Sequence, residues 1–258
     1  MEKRFGNSGN TSDGMMVFGI HPVMEAIQSG KELDRVFIQR NLSGAAATAL
    51  KKMMREHDMR PVEVPVEKLN RLTRSNHQGV VAFITEVAYQ KLEHVVPGLF
   101  ESGRIPIVLM LDRITDVRNF GAICRTAECM GVGAVLIPER GGAPANGDAM
   151  KASAGALSRI TICREHNLKN AIDYMKESGF MVLGCSEKGT ESVFTTDLTS
   201  PLCIIMGSEE DGISPEYLKR CDRVARIPMI GSVGSLNVSV AAGMVLYEAV
   251  RQQSLSDQ

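Results

Sequence analysis

Five polar side chains in the C-terminal half of the sequence have the types and spacing to do chemistry. They are Asn119, Arg125, Glu209, Ser235 and Asn237. A guanidinium offers a fork of donors to phosphate, amides and hydroxyls position polar groups, and a carboxylate orients them or accepts a proton. Because an arginine in an otherwise apolar helix face is costly to bury unless an anion pairs with it, Arg125 predicts an anionic ligand.

Each of these side chains lies in a glycine-containing segment that follows an apolar run. The segments are 111–128, 205–214 and 227–238. Glycine allows backbone N–H and C=O groups to approach a ligand without an intervening Cβ. Taken singly, each segment could be an ordinary strand-turn-helix connection. All three together, in this order, fit that explanation poorly and favour a ligand site.

The third segment leads into a C-terminal helix that is predicted to reach about Gln253. Ser235 is expected to cap this helix, because its side-chain oxygen suits a free N–H of the first turn. Val240, Met244 and Tyr247 recur at three- and four-residue spacing. That spacing predicts one buried face of the helix.

Strands alternating with helices are predicted from residue 105 onwards, which argues for a mostly parallel sheet with both faces covered. The strand candidates are Ile105–Leu111, Ala134–Ile137, Met181–Cys185, Leu202–Met206 and Val224–Ile227. The helix candidates are Gly121–Met130, Leu168–Glu177, Pro215–Cys221 and the C-terminal helix. Open parallel sheets bind ligands where strands lead into helices, so this architecture would bring the three segments to one site.

The first part of the chain predicts a separate, small α/β domain over residues 15–87, after a tail over 1–14 that is too polar to fold. Residues 88–104, with Pro97 and Gly98, are predicted to be a linker, and 105–258 the second domain. In the polar turn before the last strand of the small domain, Arg74, His77 and Gln78 could contact RNA. The residues alone favour a solvated turn.

Composition limits the class of protein. The 258 residues are 44% hydrophobic and 23% charged with a net charge of −1, which is typical of a soluble globular protein and does not indicate nucleic-acid binding by bulk charge. None of the six cysteines forms a Cys-x-x-Cys pair, so we expect reduced thiols in a cytoplasmic protein and no metal site. No apolar run reaches the length of a membrane span.

The three segments resemble the motifs of the SpoU/TrmH family of SPOUT RNA methyltransferases. The correspondences are Asn119-Phe-Gly-Ala-Ile-Cys-Arg125, Gly207-Ser-Glu-Glu-Asp-Gly212, and Ile227-Pro-Met-Ile-Gly231 followed by Ser235-Leu-Asn-Val238. The resemblance covers residues 17–253, and the layout is most similar to the RlmB-type branch, which methylates a guanosine ribose in 23S rRNA. Val117 departs from the pattern, since many members have proline there.

The resemblance implies transfer of a methyl group from S-adenosylmethionine to a ribose 2′-hydroxyl of RNA by a homodimer. It also implies a deep trefoil knot in the C-terminal domain. Catalytic roles would fall to Arg125, Asn119, Glu209, Ser235 and Asn237, with Glu209 orienting Arg125 or acting as the base. Cofactor contacts would come from Gly184, Met206, Gly207, Ile227, Met229, Ser235 and Leu236. RNA contacts would come from Arg74, His77, Gln78 and Lys151.

Other classes of protein fit the sequence less well. A dinucleotide-dependent dehydrogenase needs Gly-x-Gly-x-x-Gly after its first strand, and a serine hydrolase needs Gly-x-Ser-x-Gly. Neither pattern is found at the corresponding places. The open alternatives are a tRNA methyltransferase of the same family and a non-catalytic RNA-binding protein with the same fold.

Overall fold

The computed structural model describes residues 16–31, 33–57, 59–84 and 87–256, without the side chains of residues 34 and 256. The predicted tail, 1–14, lies outside these residues. The described residues form two compact units. Residues up to 84, with Asn146–Asp148, make up the first, and the rest from residue 87 onwards make up the second.

The first unit is a four-stranded sheet covered by helices on both faces. Its elements are β1 (Met16–Phe18), α1 (Ile20–Gln28), β2 (Leu33–Gln39), α2 (Ala45–Glu56), β3 (Val62–Val64), α3 (Val66–Leu72) and β4 (Val80–Ile84). The strand order is β1-β4-β2-β3, with β2 and β3 parallel and the other pairs antiparallel. Along β2, Ile38 packs with α1 and α2, and its neighbour Phe37 packs with Leu69 of α3, as the period of two requires.

The second unit is built on a parallel sheet of eight strands in the described part of the chain. The elements from residue 87 are β5 (Tyr89–Gln90), α4 (Leu92–Glu101), β6 (Ile107–Leu111), α5 (Val117–Cys129), β7 (Ala134–Pro138), α6 (Gly147–Ala152), β8 (Ile162–Glu165), α7 (Leu168–Glu177), β9 (Met181–Cys185), β10 (Glu191–Ser192), β11 (Leu202–Met206), α8 (Pro215–Leu218), β12 (Arg223–Arg226) and α9 (Val238–Ser256). The strand order is β10-β12-β9-β11-β6-β7-β8-β5. Every neighbouring pair is parallel.

Both faces of this sheet are buried, which explains why its central strands are continuous apolar runs. In β6, Leu109 and Leu111 belong to the core beneath α5 and α9, whereas Val108 and Met110 belong to the core beneath α4 and α7. The predicted α/β class and mostly parallel sheet are confirmed.

The order of strands changes direction at β6. The chain moves from β6 to β7 on one side, and later inserts β11 on the other side, between β6 and β9. The loops that follow β6 and β11 therefore leave the same edge of the sheet side by side. This edge is where open parallel sheets bind ligands.

The prediction of a linker over 88–104 is wrong, because these residues form β5 and α4. Leu92 and Val96 are buried in the core of the second unit, and the Leu92 N–H donates to Glu165 Oε1 at 2.9 Å. Pro97 lies inside α4. Leu92, Val96 and Leu99 have a helical spacing. The sequence predicts a linker here because proline and glycine at the centre of the segment usually interrupt a helix.

The first motif helix, α5, begins at Val117, four residues before the predicted start. Asp116 is the reason, because its carboxylate accepts from the N–H groups of Arg118 at 2.7 Å and Asn119 at 3.1 Å. It therefore caps the helix. Val117 is the first helical residue, a position that proline also favours.

The predicted buried face of the C-terminal helix is also wrong. Val240, Met244 and Tyr247 of α9 are 51%, 40% and 61% exposed. The face that packs into the core consists of Val238, Ala242, Val245, Leu246 and Ala249. Both sets keep a helical spacing, so periodicity could not decide between them. In the described residues, no helix has the length and apolarity needed to cross a membrane.

Candidate active site

One residue from each of the three motifs meets in a side-chain network at the edge of the sheet. Asn119 Nδ2 donates to Glu209 Oε1 at 2.6 Å. Asn237 Nδ2 donates to the same oxygen at 3.1 Å and to Asn119 Oδ1 at 3.0 Å. Charge-assisted bonds to a carboxylate are stronger than neutral ones, so Glu209 fixes the orientation of both amides.

The loop that carries Glu209 is closed tightly by glycine. Ser208 and Gly212 exchange two backbone hydrogen bonds, at 3.1 and 3.0 Å. A Cβ on Gly207 would lie 2.1 Å from the Gly212 carbonyl carbon, and Gly212 has a φ of 68°. Both positions need glycine for close approach and for a left-handed backbone.

Asn237, and not Ser235, caps α9. Asn237 Oδ1 accepts from Ser239 N at 2.9 Å and from Val240 N at 3.4 Å. Its amide nitrogen belongs to the network with Glu209. One side chain thus links the helix start to the motif network, and Ser235 is left exposed in the preceding loop.

A cleft of about 590 Å³ opens beside the network. Of the residues expected to contact a cofactor, those that line it are Met206, Gly207, Ile227, Met229, Ser235 and Leu236. Gly184 does not line it. A Cβ at Gly184 would face Cys221 and Leu218, and the next residue, Cys185, lines the cleft instead.

The cleft combines an apolar wall with acidic side chains. Burial raises the pKa of the Cys185 thiol to about 11, so this wall residue is an uncharged thiol at neutral pH. Carboxylates come from Glu187, Glu209, Glu210 and Asp211, of which Asp211 pairs with Arg113. Lys188 is the single cation among the lining residues described. This balance suits a ligand that carries positive charge.

Arg125 lies apart from this arrangement. It is exposed on α5, and it lines neither the cleft nor the smaller cavity of about 250 Å³ near Asn119. Its guanidinium has no hydrogen bond or ion pair with any described residue. The expectation that Glu209 orients Arg125 is therefore wrong for a single chain, since Glu209 bonds the two amides. The burial argument for an anionic partner also does not apply, because the guanidinium is in solvent.

Sequence reasoning missed a cluster at the end of β6. Asp112 is 1% exposed, and Arg113 pairs with it and with Asp211. The signal was present in the sequence, because two charged residues directly follow a fully apolar strand that leads into a motif.

The three expected RNA contacts of the first unit differ in whether their side chains bond within the protein. His77 Nε2 bonds Asn70 Oδ1 at 2.8 Å and its Nδ1 accepts from Gly79 N at 3.0 Å. Gln78 Oε1 accepts from Ile20 N at 3.2 Å. Both side chains therefore support the turn, whereas Arg74 is exposed.

Lys151, the expected RNA contact outside the first unit, is exposed on α6. Within the described residues, no group of three His, Cys, Asp or Glu side chains could hold a metal ion.

The parallel sheet, the glycine-closed loops at its switch point and the cleft define an α/β enzyme that binds a small organic cofactor. Comparison with known families gives the particular class. The SpoU rRNA Methylase family matches residues 106–247, and an RNA 2′-O ribose methyltransferase substrate-binding family matches residues 16–90. The chain belongs to the SpoU rRNA methylase family.

Relatives and solved structures agree with this assignment. The chain is 34% identical over 243 residues, 92% of its length and 96% of the relative's, to the 23S rRNA (guanosine-2′-O-)-methyltransferase RlmB of Vibrio parahaemolyticus. It is similar to the SpoU methyltransferase AviRb of Streptomyces viridochromogenes in complex with AdoMet, with TM-score 0.60, 25% identity, and 93% and 90% of the chains covered. A TrmH/SpoU tRNA modifying enzyme of A. aeolicus matches with TM-score 0.54, 29% identity, and 64% and 86% covered.

The chain is thus an RNA ribose 2′-O-methyltransferase that uses S-adenosylmethionine. The cleft fits this cofactor. Its volume lies within the range of about 300–1,000 Å³ usual for small-molecule sites. Its apolar wall suits an adenine ring, and its carboxylates suit a cationic sulfonium compound.

Proposed function

We propose that this enzyme methylates the ribose of a guanosine in 23S rRNA, in the cytoplasm where ribosomes are assembled. Support comes from the RlmB relative, which matches nearly the full length of both chains. The observation that carries the chemistry is the network of Asn119, Glu209 and Asn237 beside the cofactor cleft.

The reaction needs an oriented 2′-hydroxyl and an acceptor for its proton. S-adenosylmethionine, when bound, would supply a sulfonium methyl group for the ribose oxygen to attack, with S-adenosylhomocysteine as the leaving group. Asn119 and Ser235 position the ribose next to the cleft. Glu209 and Asn237 hold Asn119 in place. Such alignment supplies much of the rate of a displacement reaction.

Arg125 acts on the RNA and not on Glu209. An arginine guanidinium offers five N–H donors and no acceptor, which makes Arg125 a poor base and a good holder of a phosphate. A guanidinium fork binds phosphate through two parallel hydrogen bonds. The phosphate that Arg125 holds would accept the 2′-hydroxyl proton as the ribose oxygen takes the methyl group.

The enzyme works as a homodimer through the exposed face of α9. This face carries Val240, Met244 and Tyr247, which form a continuous apolar stripe along one side of the helix. Burying such side chains is the main favourable contribution to association of identical chains. Since α5 packs against α9, the same interface would bring α5 near the second copy.

The dimer also completes the active site. Arg125 is six residues beyond Asn119 on α5, a rise of about 9 Å along the axis, and it lines neither cavity of its own chain. The site would therefore pair the cleft and amide network of one copy with Arg125 of the other.

Two further features belong to this proposal. The chain around 207–238 would form the trefoil knot of the family, which would hold the cleft loops in place. In the first unit, Arg74 would contact RNA directly, while His77 and Gln78 would shape the turn that presents it. Lys151 would add a contact near α6.

Mass-spectrometric mapping of ribose-methylated nucleosides in total RNA, with and without this gene, tests the proposal. We expect loss of one 2′-O-methylguanosine from 23S rRNA. Loss from tRNA instead would favour the alternative that the A. aeolicus neighbour suggests. An unchanged methylation map would contradict catalysis on either RNA.

A further inference from the structure

Arg113 contacts the loop that carries Glu209 from the neighbouring strand end. Its guanidinium donates from Nη1 to Asp211 Oδ2 at 3.0 Å and from Nη2 to the Gly212 carbonyl at 3.1 Å. It also donates to Asp112, from Nε to Oδ1 at 3.1 Å and from Nη2 to Oδ2 at 3.4 Å. Four of its five donors are thus used within the protein, so it has little capacity left for RNA.

The backbone of Arg113 indicates that this position is specialised. Its φ is 57°, in the left-handed region where an arginine is uncommon. Backbone strain of this kind persists only when surrounding contacts enforce it, and it is frequent at functional sites. Here the enforcing contacts are those of the guanidinium with Asp211 and Gly212.

Asp112 and Arg113 hydrogen-bond to the motif loop on either side of Ile213. Asp112 Oδ2 accepts from Ser214 N at 2.7 Å, and Arg113 binds the carbonyl of Gly212, which also accepts from Ser208 N. Asp112 is 1% exposed, and a buried carboxylate needs a cationic partner. Arg113 therefore neutralises the charge of Asp112 and also holds the Ser208–Gly212 loop closed.

We propose that Arg113 is a positioning residue for methyl transfer: its fork holds the Ser208–Gly212 loop so that Glu209 and the cofactor cleft are set before ligands bind. The proposal rests on the proposed role of the Glu209 network. It adds a residue that does not line the cofactor cleft and acts through the loop.

Two variants separate the effects of Arg113. Arg113→Lys distinguishes the guanidinium fork from its positive charge, and Arg113→Gly distinguishes the fork from the backbone strain. Lysine keeps a cation beside Asp112 but lacks the planar fork that reaches Asp112, Asp211 and the Gly212 carbonyl together. Glycine relieves the left-handed backbone but removes the fork. Arg223→Lys is the matched control, because Arg223 of β12 makes an exposed ion pair with Glu191 of β10 and does not line the cleft.

For each variant, calorimetry gives the affinity for S-adenosylmethionine alone, thermal unfolding gives stability, and single-turnover methylation of a 23S rRNA transcript gives the rate. We expect Arg113→Lys to unfold near the wild-type temperature, with affinity and single-turnover rate each about 10-fold lower or more, since small misplacements cost that much. Arg113→Gly should lose rate similarly, and the KM for RNA should stay unchanged in both.

Wild-type affinity and rate in Arg113→Lys would overturn the proposal, as would a fully active Arg113→Gly. A KM effect confined to RNA would also overturn it, by making Arg113 an RNA contact. If the wild-type enzyme does not methylate the transcript, the proposed RNA substrate is wrong. The calorimetric measurement, which needs no RNA, still decides the role of Arg113.

Discussion

Helix α5 carries two motif residues in opposite circumstances. Asn119, in its first turn, is fixed by Glu209 and Asn237 through hydrogen bonds of 2.6 and 3.0 Å. Arg125, near the middle of the same helix, is exposed and has no bonding partner in the described residues. The difference separates two tasks. The amides are held by contacts within the protein, whereas the guanidinium has no side-chain partner among the described residues.

The largest effect on the methylation rate should come from Arg125, which has no side-chain partner among the described residues. Arg125→Ala should lower the single-turnover rate of methyl transfer by about 10²–10³-fold, the usual loss for one electrostatic contact to a reacting group. The affinity for S-adenosylmethionine should not change, because Arg125 does not line the cleft. Calorimetry and single-turnover assays check both values. Arg223→Ala is the control, and a wild-type rate in Arg125→Ala would remove Arg125 from catalysis.

Variants of Glu209 test whether this carboxylate acts by positioning Asn119 and Asn237 or by its charge. Glu209→Ala removes the acceptor shared by Asn119 and Asn237 and should lower the rate by about 10²-fold. Glu209→Gln keeps an oxygen that can accept both bonds, so we expect it to retain activity within about 10-fold of wild type. Equal inactivity of the two variants in the same rate assay would identify Glu209 as the proton acceptor.

Asn237 links the network to the fold, so its variants should separate stability from rate. Asn237→Ala removes the cap of α9 and should cost about 1 kcal/mol of unfolding free energy. Asn237→Ser keeps a capping oxygen but loses the amide donors to Asn119 and Glu209. Denaturant unfolding should therefore show a smaller loss for serine, while both variants lower the methylation rate. Equal stability losses would contradict the capping role.

The smallest effect should come from Glu248 on α9, which belongs neither to the Asn119 network nor to the surroundings of Arg125. Hydrogen bonds from Arg251, and then from Gln252, lower the pKa of Glu248 below its ordinary 4.5. A carboxylate with a lowered pKa stabilises the fold above that ordinary value, and this contribution disappears as the pH falls through the folded-state pKa. Glu248→Gln should therefore lower the unfolding temperature at pH 7 and match wild type more closely near pH 4. The exposed Glu101→Gln is the control, and a pH-independent difference would contradict the linkage.

Much of the fold followed from the sequence because local pattern and burial coincide there. The apolar runs of β9 and β11 begin and end where predicted, since a strand buried on both faces leaves no choice of face. The three motifs follow β6, β11 and β12, and one residue from each meets in the network because these strands are parallel. The predicted helix at Leu168–Glu177 also has the observed bounds.

Other features depend on information that a single sequence does not contain. The outer face of α9 and its core face share one periodicity, so only packing against α5 distinguishes Val240 from Ala242. The choice of Asn237 over Ser235 as cap depends on where the chain turns. The role of Glu209 depends on which side chains a distant motif brings within reach.

The comparison between Asn119 and Arg125 is tested most directly by mixed dimers. Leu236 lines the cleft, so Leu236→Glu should impair cofactor binding and leave Arg125 intact. Dimers with one Leu236→Glu chain and one Arg125→Ala chain, purified through two different tags, would contain one site with an intact cleft and the Arg125 of the other copy. If the site is shared, these dimers should recover about half of the wild-type rate, because one of two symmetric sites is complete. A rate no higher than that of either mutant homodimer would show that Arg125 serves its own chain and would contradict the account.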